Sequence, residues 1–220
     1  MTDNQLINLN QSYFTDQIIT YLGNKRKLLS HINLAIEEIK LNLNKNYINS
    51  FDGFSGSGVI SRLLKLHSNK LIVNDLEYYC YVINKCYLSN LDATQINEIK
   101  DKIDYLNSER KNYNKKGFIE KLYCSENDNN IQVGERLFFT NENGKIIDYL
   151  RSLIKDDDYY SLSSLLYKVS VHNNTSGVFK GFYKDTETNK GQFGGNAKNA
   201  LKRITKTIEL SYPIFFKNQC

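Results

Sequence analysis

The sequence has little proline, no tryptophan and no paired cysteine motif. Its 220 residues include a single proline, Pro213, and four cysteines without Cys-x-x-Cys spacing or a flanking histidine pair. This excludes the common zinc motifs, so we expect no metal site and a reduced, cytoplasmic chain. No apolar run approaches the roughly 18 residues of a membrane span. The N-terminus also lacks the cationic and apolar parts of a signal peptide.

Charge and composition are those of an ordinary soluble chain. The sequence is 40% hydrophobic and 24% charged, and its formal net charge is +5. A modest basic excess permits a polyanionic partner such as DNA but does not require one. The length suits one domain, or one domain with a subdomain.

Alternating strand and helix patterns in the first ninety residues predict a parallel α/β sheet. Short branched and aromatic runs predict strands, and apolar residues at spacings of three and four predict helices. The predicted strands are residues 47–52 and 71–75, and the predicted helices are residues 24–43, 59–67 and 78–88.

The second half of the chain is more polar and richer in asparagine. Helical periodicity returns at residues 93–107, 145–155 and 199–210. Residues 172–199 are rich in glycine and have no sustained periodicity, so we predict a loop or a short hairpin there.

The stretch FDGFSGSGVIS, residues 51–61, places glycines directly after a predicted strand and before a helix. A phosphate-binding P-loop is excluded because Val59 stands where that motif needs lysine. Gly56, Gly58 and Ser61 approximate the Gly-x-Gly-x-x-Gly pattern of dinucleotide sites. An acidic residue that binds ribose should follow about 20 residues later, and Asp75 is at that place.

S-adenosylmethionine is the other nucleoside ligand that this arrangement would suit. It needs backbone close to its methionine part, a carboxylate for its ammonium group and a carboxylate for its ribose. Asp52 and Asp75 each end a predicted strand and could supply the two carboxylates. The residues alone leave three interpretations open: S-adenosylmethionine, a dinucleotide, or a tight turn without a ligand.

Three ordered stretches resemble the Dam-like, D12 class DNA adenine-N6 methyltransferases. They are YLGNKRKLLSHI (21–32), FDGFSGSGVIS (51–61) and NDLEYYCYVINKCY (74–87). The resemblance implies a Rossmann-like S-adenosylmethionine-dependent fold, here with an incomplete parallel sheet, and an inserted, mainly helical target-recognition subdomain. It divides the chain into a cofactor-binding portion (1–91), a target-recognition portion (92–210) and a return to the catalytic sheet (211–220).

The resemblance also implies roles for individual residues. Tyr21 and Lys25 would contact the cofactor, Asp52 and the loop backbone would line its methionine end, and Asp75 would bind its ribose. The implied cofactor-binding residues are Tyr21, Lys25, Asp52, Phe54, Gly56, Ser57, Gly58 and Asp75.

Residues 173–195 loosely match the target-recognition region of that family, without its arginine and proline. Seven basic and two acidic residues lie between positions 177 and 206, and aromatic residues are interleaved with them. Such a surface suits double-stranded DNA, whose phosphates attract lysine. As groove contacts we predict Lys180, Lys184 and Lys198.

The family's catalytic Asp-Pro-Pro-Tyr motif does not occur in this sequence, which has no Pro-Pro pair. We therefore expect a chain truncated before its catalytic motif, with no catalytic residue of its own. The expected function is adenine-N6 methylation of DNA within a restriction-modification system, with a cognate endonuclease and a second chain carrying the missing motif as candidate partners. The alternatives are an inactive DNA-binding subunit and another nucleoside-cofactor enzyme.

Overall fold

The computed structural model describes residues 10–20, 23–113, 115–176, 181–195, 198 and 200–216. The chain divides into two compact units. The first comprises residues 1–96 and 213–220, and the second comprises residues 97–212.

The first unit contains a parallel pair of strands joined by a helix. Strand β1 (Ile48–Asp52) pairs with β2 (Ser68–Val73), and helix α3 (Val59–His67) connects them. Asp52 is in register with Val73, so both strands end at the same edge of the sheet. In a parallel pair, the loops that follow the strands therefore lie side by side.

Helices and one short turn complete this unit. They are α1 (Gln11–Thr15), a 3-10 turn (Arg26–Leu28), α2 (Leu29–Asn42) and α4 (Tyr78–Tyr87). Helices α3 and α4 contribute much of the buried apolar surface, including Val59, Leu63, Val82 and Ile83. That burial is the main contribution to the stability of such a core, since each such side chain gains about 1.5–3 kcal/mol.

The second unit is helical in its regular structure, and the unit boundary falls inside α5. Its helices are α5 (Ala93–Glu109), α6 (Phe118–Tyr123), α7 (Asn141–Leu153), α8 (Tyr159–His172) and α9 (Leu201–Thr205). Its fully buried apolar side chains include Ile103, Leu106, Leu137, Phe139, Ile146, Leu150, Ile204 and Ile208. None of the helices in the described part of the chain is both long and apolar enough to cross a bilayer.

Most predicted elements are present, and several of them differ in their bounds, such as the helix predicted at 145–155, which spans Asn141–Leu153. Strand β2 spans Ser68–Val73 rather than residues 71–75, because the polar residues Ser68 and Lys70 also pair with β1, with a register shift between them. The 3-10 turn Arg26–Leu28 occupies the start of the helix predicted at 24–43. The helix predicted over residues 199–210 is wrong beyond Thr205, where the chain becomes extended.

Candidate cofactor site and nucleic-acid interface

The loop between β1 and α3 makes two left-handed turns. Gly56 and Gly58 have φ angles of +52° and +71°. Only glycine adopts this conformation without a steric cost, which explains both residues. The loop is closed by hydrogen bonds from the Gly58 amide to the Ser55 carbonyl (2.8 Å) and from the Ser55 amide to the Asn74 carbonyl (3.0 Å).

Asp75 follows β2 and contacts the glycine loop directly. Its Oδ2 accepts a hydrogen bond from the Gly56 amide at 2.7 Å, and its Oδ1 accepts one from the Glu77 amide at 3.1 Å. Desolvation raises the pKa of this carboxyl, but the hydrogen bonds together outweigh it and the pKa lies below its usual value. The carboxylate is therefore ionised at neutral pH, and each oxygen keeps acceptor capacity for a further donor.

Asp52 ends β1, directly before the glycine loop. Its Oδ2 accepts a hydrogen bond from the Ser61 hydroxyl at 2.5 Å, while its backbone carbonyl accepts one from the Asn74 amide at 2.8 Å. Ser61 is on the first turn of α3, so this contact fixes the carboxylate beside the start of that helix. Two ionisable carboxyls thus lie beside one glycine loop.

The turn before α2 approaches this loop through Asn24 rather than through Lys25. The Asn24 amide nitrogen is 3.5 Å from the Ser57 hydroxyl, and its Oδ1 accepts from the Arg26 amide at 2.8 Å. The Lys25 ammonium donates to the Gly23 carbonyl at 3.0 Å, within its own turn. Tyr21 lies outside the described residues.

A cavity of about 340 Å³ adjoins the loop on the side of β2 and α4. Its polar lining includes Ser55, Asn74, Asp75 and Asn84. Pockets for small ligands in proteins have volumes of roughly 300–1,000 Å³, so this one is large enough for a nucleoside. Phe54 and Leu76, the chain neighbours of the lining residues Ser55 and Asp75, are 96% and 95% exposed.

In the second unit, Asn174 organises the glycine-rich segment. Its fully buried amide nitrogen donates to the carbonyls of Leu137 (2.8 Å) and Gln192 (3.1 Å). Its Oδ1 accepts from the Gly194 amide at 3.0 Å. Tyr183 donates its amide to the Asn174 carbonyl at 3.1 Å, so one asparagine ties both ends of residues 183–192 to the helical body.

Residues 183–192 form the short hairpin that was one of the two predictions for this segment. Lys184 pairs with Gly191 in an antiparallel bridge. Asp185 accepts from the Thr188 amide and hydroxyl, both at 2.8 Å, and these bonds hold the pKa of its exposed carboxyl below the usual value. The hairpin tip is therefore a defined turn.

The basic residues near this hairpin have different environments. Lys184 is exposed, with its ammonium 5.3 Å from the centre of the Phe182 ring, and Lys198 is exposed as well. Lys180 lies outside the described residues. Arg203, by contrast, donates to the carbonyls of Val171, Asn173 and Thr175, so its guanidinium caps the end of α8.

Several residues that shape these two sites were given no contact by the sequence, although Ser61, Asn24 and Asn84 stand in the motifs quoted above. Ser61, Asn24 and Asn84 contact predicted cofactor residues or their loop, and Asn174 holds the hairpin. Three of the contacts lie within or between motifs quoted for the family resemblance, which was the available signal. The buried asparagines, however, look like solvated residues in so asparagine-rich a sequence.

A parallel strand pair with a glycine loop and an acidic residue at or just after the end of each strand is typical of nucleoside-binding α/β proteins. Comparison with protein families identifies which one. Residues 21–217 match the model of the D12 class N6 adenine-specific DNA methyltransferases. The chain belongs to this family, and its mixed α/β structure is consistent with a methyltransferase fold.

Individual relatives agree with that family. The chain is 29% identical over 198 residues to the type II methyltransferase M.NlaIII of Neisseria lactamica, covering 85% of this chain and 53% of the relative. It is 30% identical over 197 residues to the type II methyltransferase M.CviAII of Paramecium bursaria Chlorella virus 1, covering 84% and 52%. The chain thus spans about half the length of these relatives. Comparison with solved structures found no significant match.

Proposed function

We propose that this chain binds S-adenosylmethionine and double-stranded DNA as part of a site-specific adenine-N6 methyltransferase of a restriction-modification system. In this proposal the first unit is the cofactor-binding part of a Rossmann-like fold with an incomplete parallel sheet. The second unit is the inserted, mainly helical target-recognition subdomain. The observation that carries the proposal is the glycine loop with two carboxylates beside it, at the shared edge of β1 and β2.

The donor set fits S-adenosylmethionine better than it fits a phosphate-bearing ligand. Two carboxylates lie beside the loop, and their negative charge would repel the phosphates of a dinucleotide. The same carboxylates would attract the ammonium group of S-adenosylmethionine and accept hydrogen bonds from its ribose hydroxyls. The predicted lysine in this region, Lys25, donates to its own turn instead of reaching the loop. When bound, S-adenosylmethionine supplies an activated methyl group on its sulfonium.

The residues of this chain would bind and orient that ligand. Asp75, ionised and held by the Gly56 and Glu77 amides, would accept hydrogen bonds from the ribose hydroxyls. Asp52, fixed by Ser61, would accept from the ammonium group. The glycine backbone permits close approach, because no Cβ projects from Gly56 or Gly58. Tyr21, Lys25, Phe54 and Ser57 remain predicted contacts of the same ligand.

The second unit would contact DNA through the hairpin 183–192 and the residues near it. Lys184 and Lys198 are exposed cations and can neutralise phosphates, and Lys180 remains a predicted contact. The Asn174 hydrogen bonds give the hairpin a defined shape, which positioning in a groove requires. The relatives' names place them among type II methyltransferases, and a cognate endonuclease is the partner that such a system would include.

Methyl transfer also needs groups that hold the adenine amino group. In the resembling family these come from Asp-Pro-Pro-Tyr, and the sequence of this chain has a single proline. We therefore propose that the groups contacting N6 are supplied by polypeptide other than these 220 residues. A base flipped out of the duplex would then meet the cofactor and that second segment together.

Calorimetric titration of the purified chain tests the cofactor assignment. We expect saturable binding of S-adenosylhomocysteine and no binding of NAD. Asp75→Asn should weaken S-adenosylhomocysteine binding about tenfold or more, because a hydrogen bond to a charged group contributes roughly 1.5–3 kcal/mol. Glu38→Gln, which neutralises an exposed carboxylate of α2 in the same unit, should leave binding unchanged. Binding of NAD, or equal affinities for the two variants, would contradict the proposal.

A further inference from the structure

Asn84, on α4, is buried against the glycine loop. Its side chain is only 8% exposed. The amide nitrogen donates to the Ser55 hydroxyl at 2.9 Å and to the Cys80 carbonyl at 2.8 Å. Asn84 therefore connects the start of the loop to the helix that follows Asp75.

The other end of the same amide faces Gly58. A Cβ atom built on Gly58 would be 2.5 Å from the Asn84 Oδ1, which is closer than side chains approach one another. Among the residues that the structure describes, this buried Oδ1 has no hydrogen-bond partner. An unsatisfied buried acceptor costs about 1–3 kcal/mol, so its position needs an explanation other than stability.

The surrounding contacts show what the position achieves. Asp75 accepts a hydrogen bond from the Gly56 amide, and the nearby Cys80 thiol helps to lower the pKa of its carboxyl. Asp75, Cys80 and Asn84 therefore form a continuous support on one side of the loop, from Ser55 to Gly58. The Asn84 amide is the member of this support that contacts both ends of the loop.

We propose that Asn84 is the positioning residue of the cofactor site: its amide sets the loop conformation, and its Oδ1 makes glycine obligatory at position 58. This inference rests on the proposed function. It assigns to Asn84 no contact with the cofactor. Its effect on binding is transmitted through the backbone of Ser55–Gly58, the segment that the ligand approaches.

A double-mutant cycle tests this role, using Gly58→Ala, Asn84→Ala and the double variant. In the wild-type background, Gly58→Ala has two costs: the positive φ angle and the collision with Oδ1. Asn84→Ala removes the collision and keeps the φ cost. We expect Gly58→Ala to weaken S-adenosylhomocysteine binding about tenfold in the wild-type background. In the Asn84→Ala background the same substitution should weaken binding about threefold or less, because substitutions at contacting residues have non-additive effects.

Gly134→Ala provides the matched control, because Gly134 has φ +94° and open space where its Cβ would be. Its cost in melting temperature should be the same with and without Asn84. Equal losses from Gly58→Ala in the two backgrounds would overturn the proposal, because the φ angle alone would then explain the glycine. The cycle can also be read in melting temperatures. If the wild-type chain binds no S-adenosylhomocysteine, the proposed function fails while the Asn84–Gly58 coupling is still measured.

Discussion

Replacing Asn174 with alanine should destabilise the second unit strongly. The side chain is fully buried and makes three hydrogen bonds to backbone groups, with lengths of 2.8, 3.1 and 3.0 Å. Alanine removes all three and leaves the carbonyls of Leu137 and Gln192 and the amide of Gly194 without this partner. At about 1 kcal/mol for each bond, the free energy of unfolding should fall by about 3 kcal/mol.

The size of the unit converts this loss into a melting temperature. For a unit of residues 97–212, 1 kcal/mol corresponds to a shift of roughly 4 °C. We therefore expect Asn174→Ala to lower the melting transition of this unit by about 12 °C. Differential scanning calorimetry of the full chain measures this directly.

Asn129→Ala is the matched control, because Asn129 is an exposed asparagine of the same unit. Its substitution should change the melting temperature by no more than a degree or two, as is usual for surface changes within about 0.5 kcal/mol. If Asn174→Ala behaved like this control, the hairpin would not be held by the hydrogen bonds described above. Other contacts would then have to stabilise the hairpin, contrary to this expectation.

Three further outcomes follow from the second unit. Burial lowers the pKa of His172, whose Nδ1 donates to the Arg203 carbonyl at 2.7 Å. Below about pH 6.5 the unfolded chain therefore binds more protons than the folded chain, and the melting temperature should fall between pH 7.5 and pH 5.5. The fall should be smaller in the His172→Gln variant. Equal pH dependence would contradict this. Gly144→Ala should destabilise α7 by about 1–3 kcal/mol, measured by urea denaturation, because the added Cβ would lie 2.3 Å from the Cys124 sulfur. Alanine is usually preferred to glycine inside a helix, so a stabilised variant would show that this close contact does not exist. Lys184→Ala should weaken DNA binding, measured by fluorescence anisotropy. It should also reduce by about 1 the slope of the logarithm of the binding constant against the logarithm of salt concentration. Lys155→Ala should change neither quantity.

The parallel pair of strands could be predicted because its signals are local. Residues 48–52 alternate in burial along the strand, a glycine-rich loop follows, and α3 starts at Val59, directly after Gly58. The position of Asp75 in the fold could be predicted for the same reason, since its distance from the glycines is fixed by one strand-helix-strand unit. Its hydrogen bond to the Gly56 amide could not be predicted, because that depends on how the two loops meet in space.

The end of the second unit shows why periodicity alone was misleading there. Ile204 and Ile208 are both fully buried at helical spacing. Beyond Thr205, however, the Ile208 amide donates to the Asn143 side chain at 2.9 Å and the Leu210 amide donates to the Asn107 side chain at 2.7 Å. Asparagines distant in sequence thus replace the helical hydrogen bonds, and no local pattern reveals them.

Helix α8 was missed for a different reason. Its buried face includes Ser161, Ser163 and Ser164 beside leucines, so small polar residues occupy positions that a hydrophobic pattern would leave blank. The Ser164 hydroxyl donates to the Ser211 carbonyl at 2.7 Å, which satisfies that buried group. In a hydrophobic pattern such serines count as solvent-facing residues, so the apolar periodicity that predicts a helix is absent from residues 159–172.

One glycine loop and the carboxylates beside it are proposed to bind S-adenosylmethionine. Backbone amide chemical shifts of the isotopically labelled chain, recorded during titration with S-adenosylhomocysteine, test this most directly. We expect the largest shifts at Gly56, Gly58 and Asp75, with the hairpin residues 183–192 unchanged. Saturable shifts confined to residues remote from this loop, or no shifts at all, would contradict the claim.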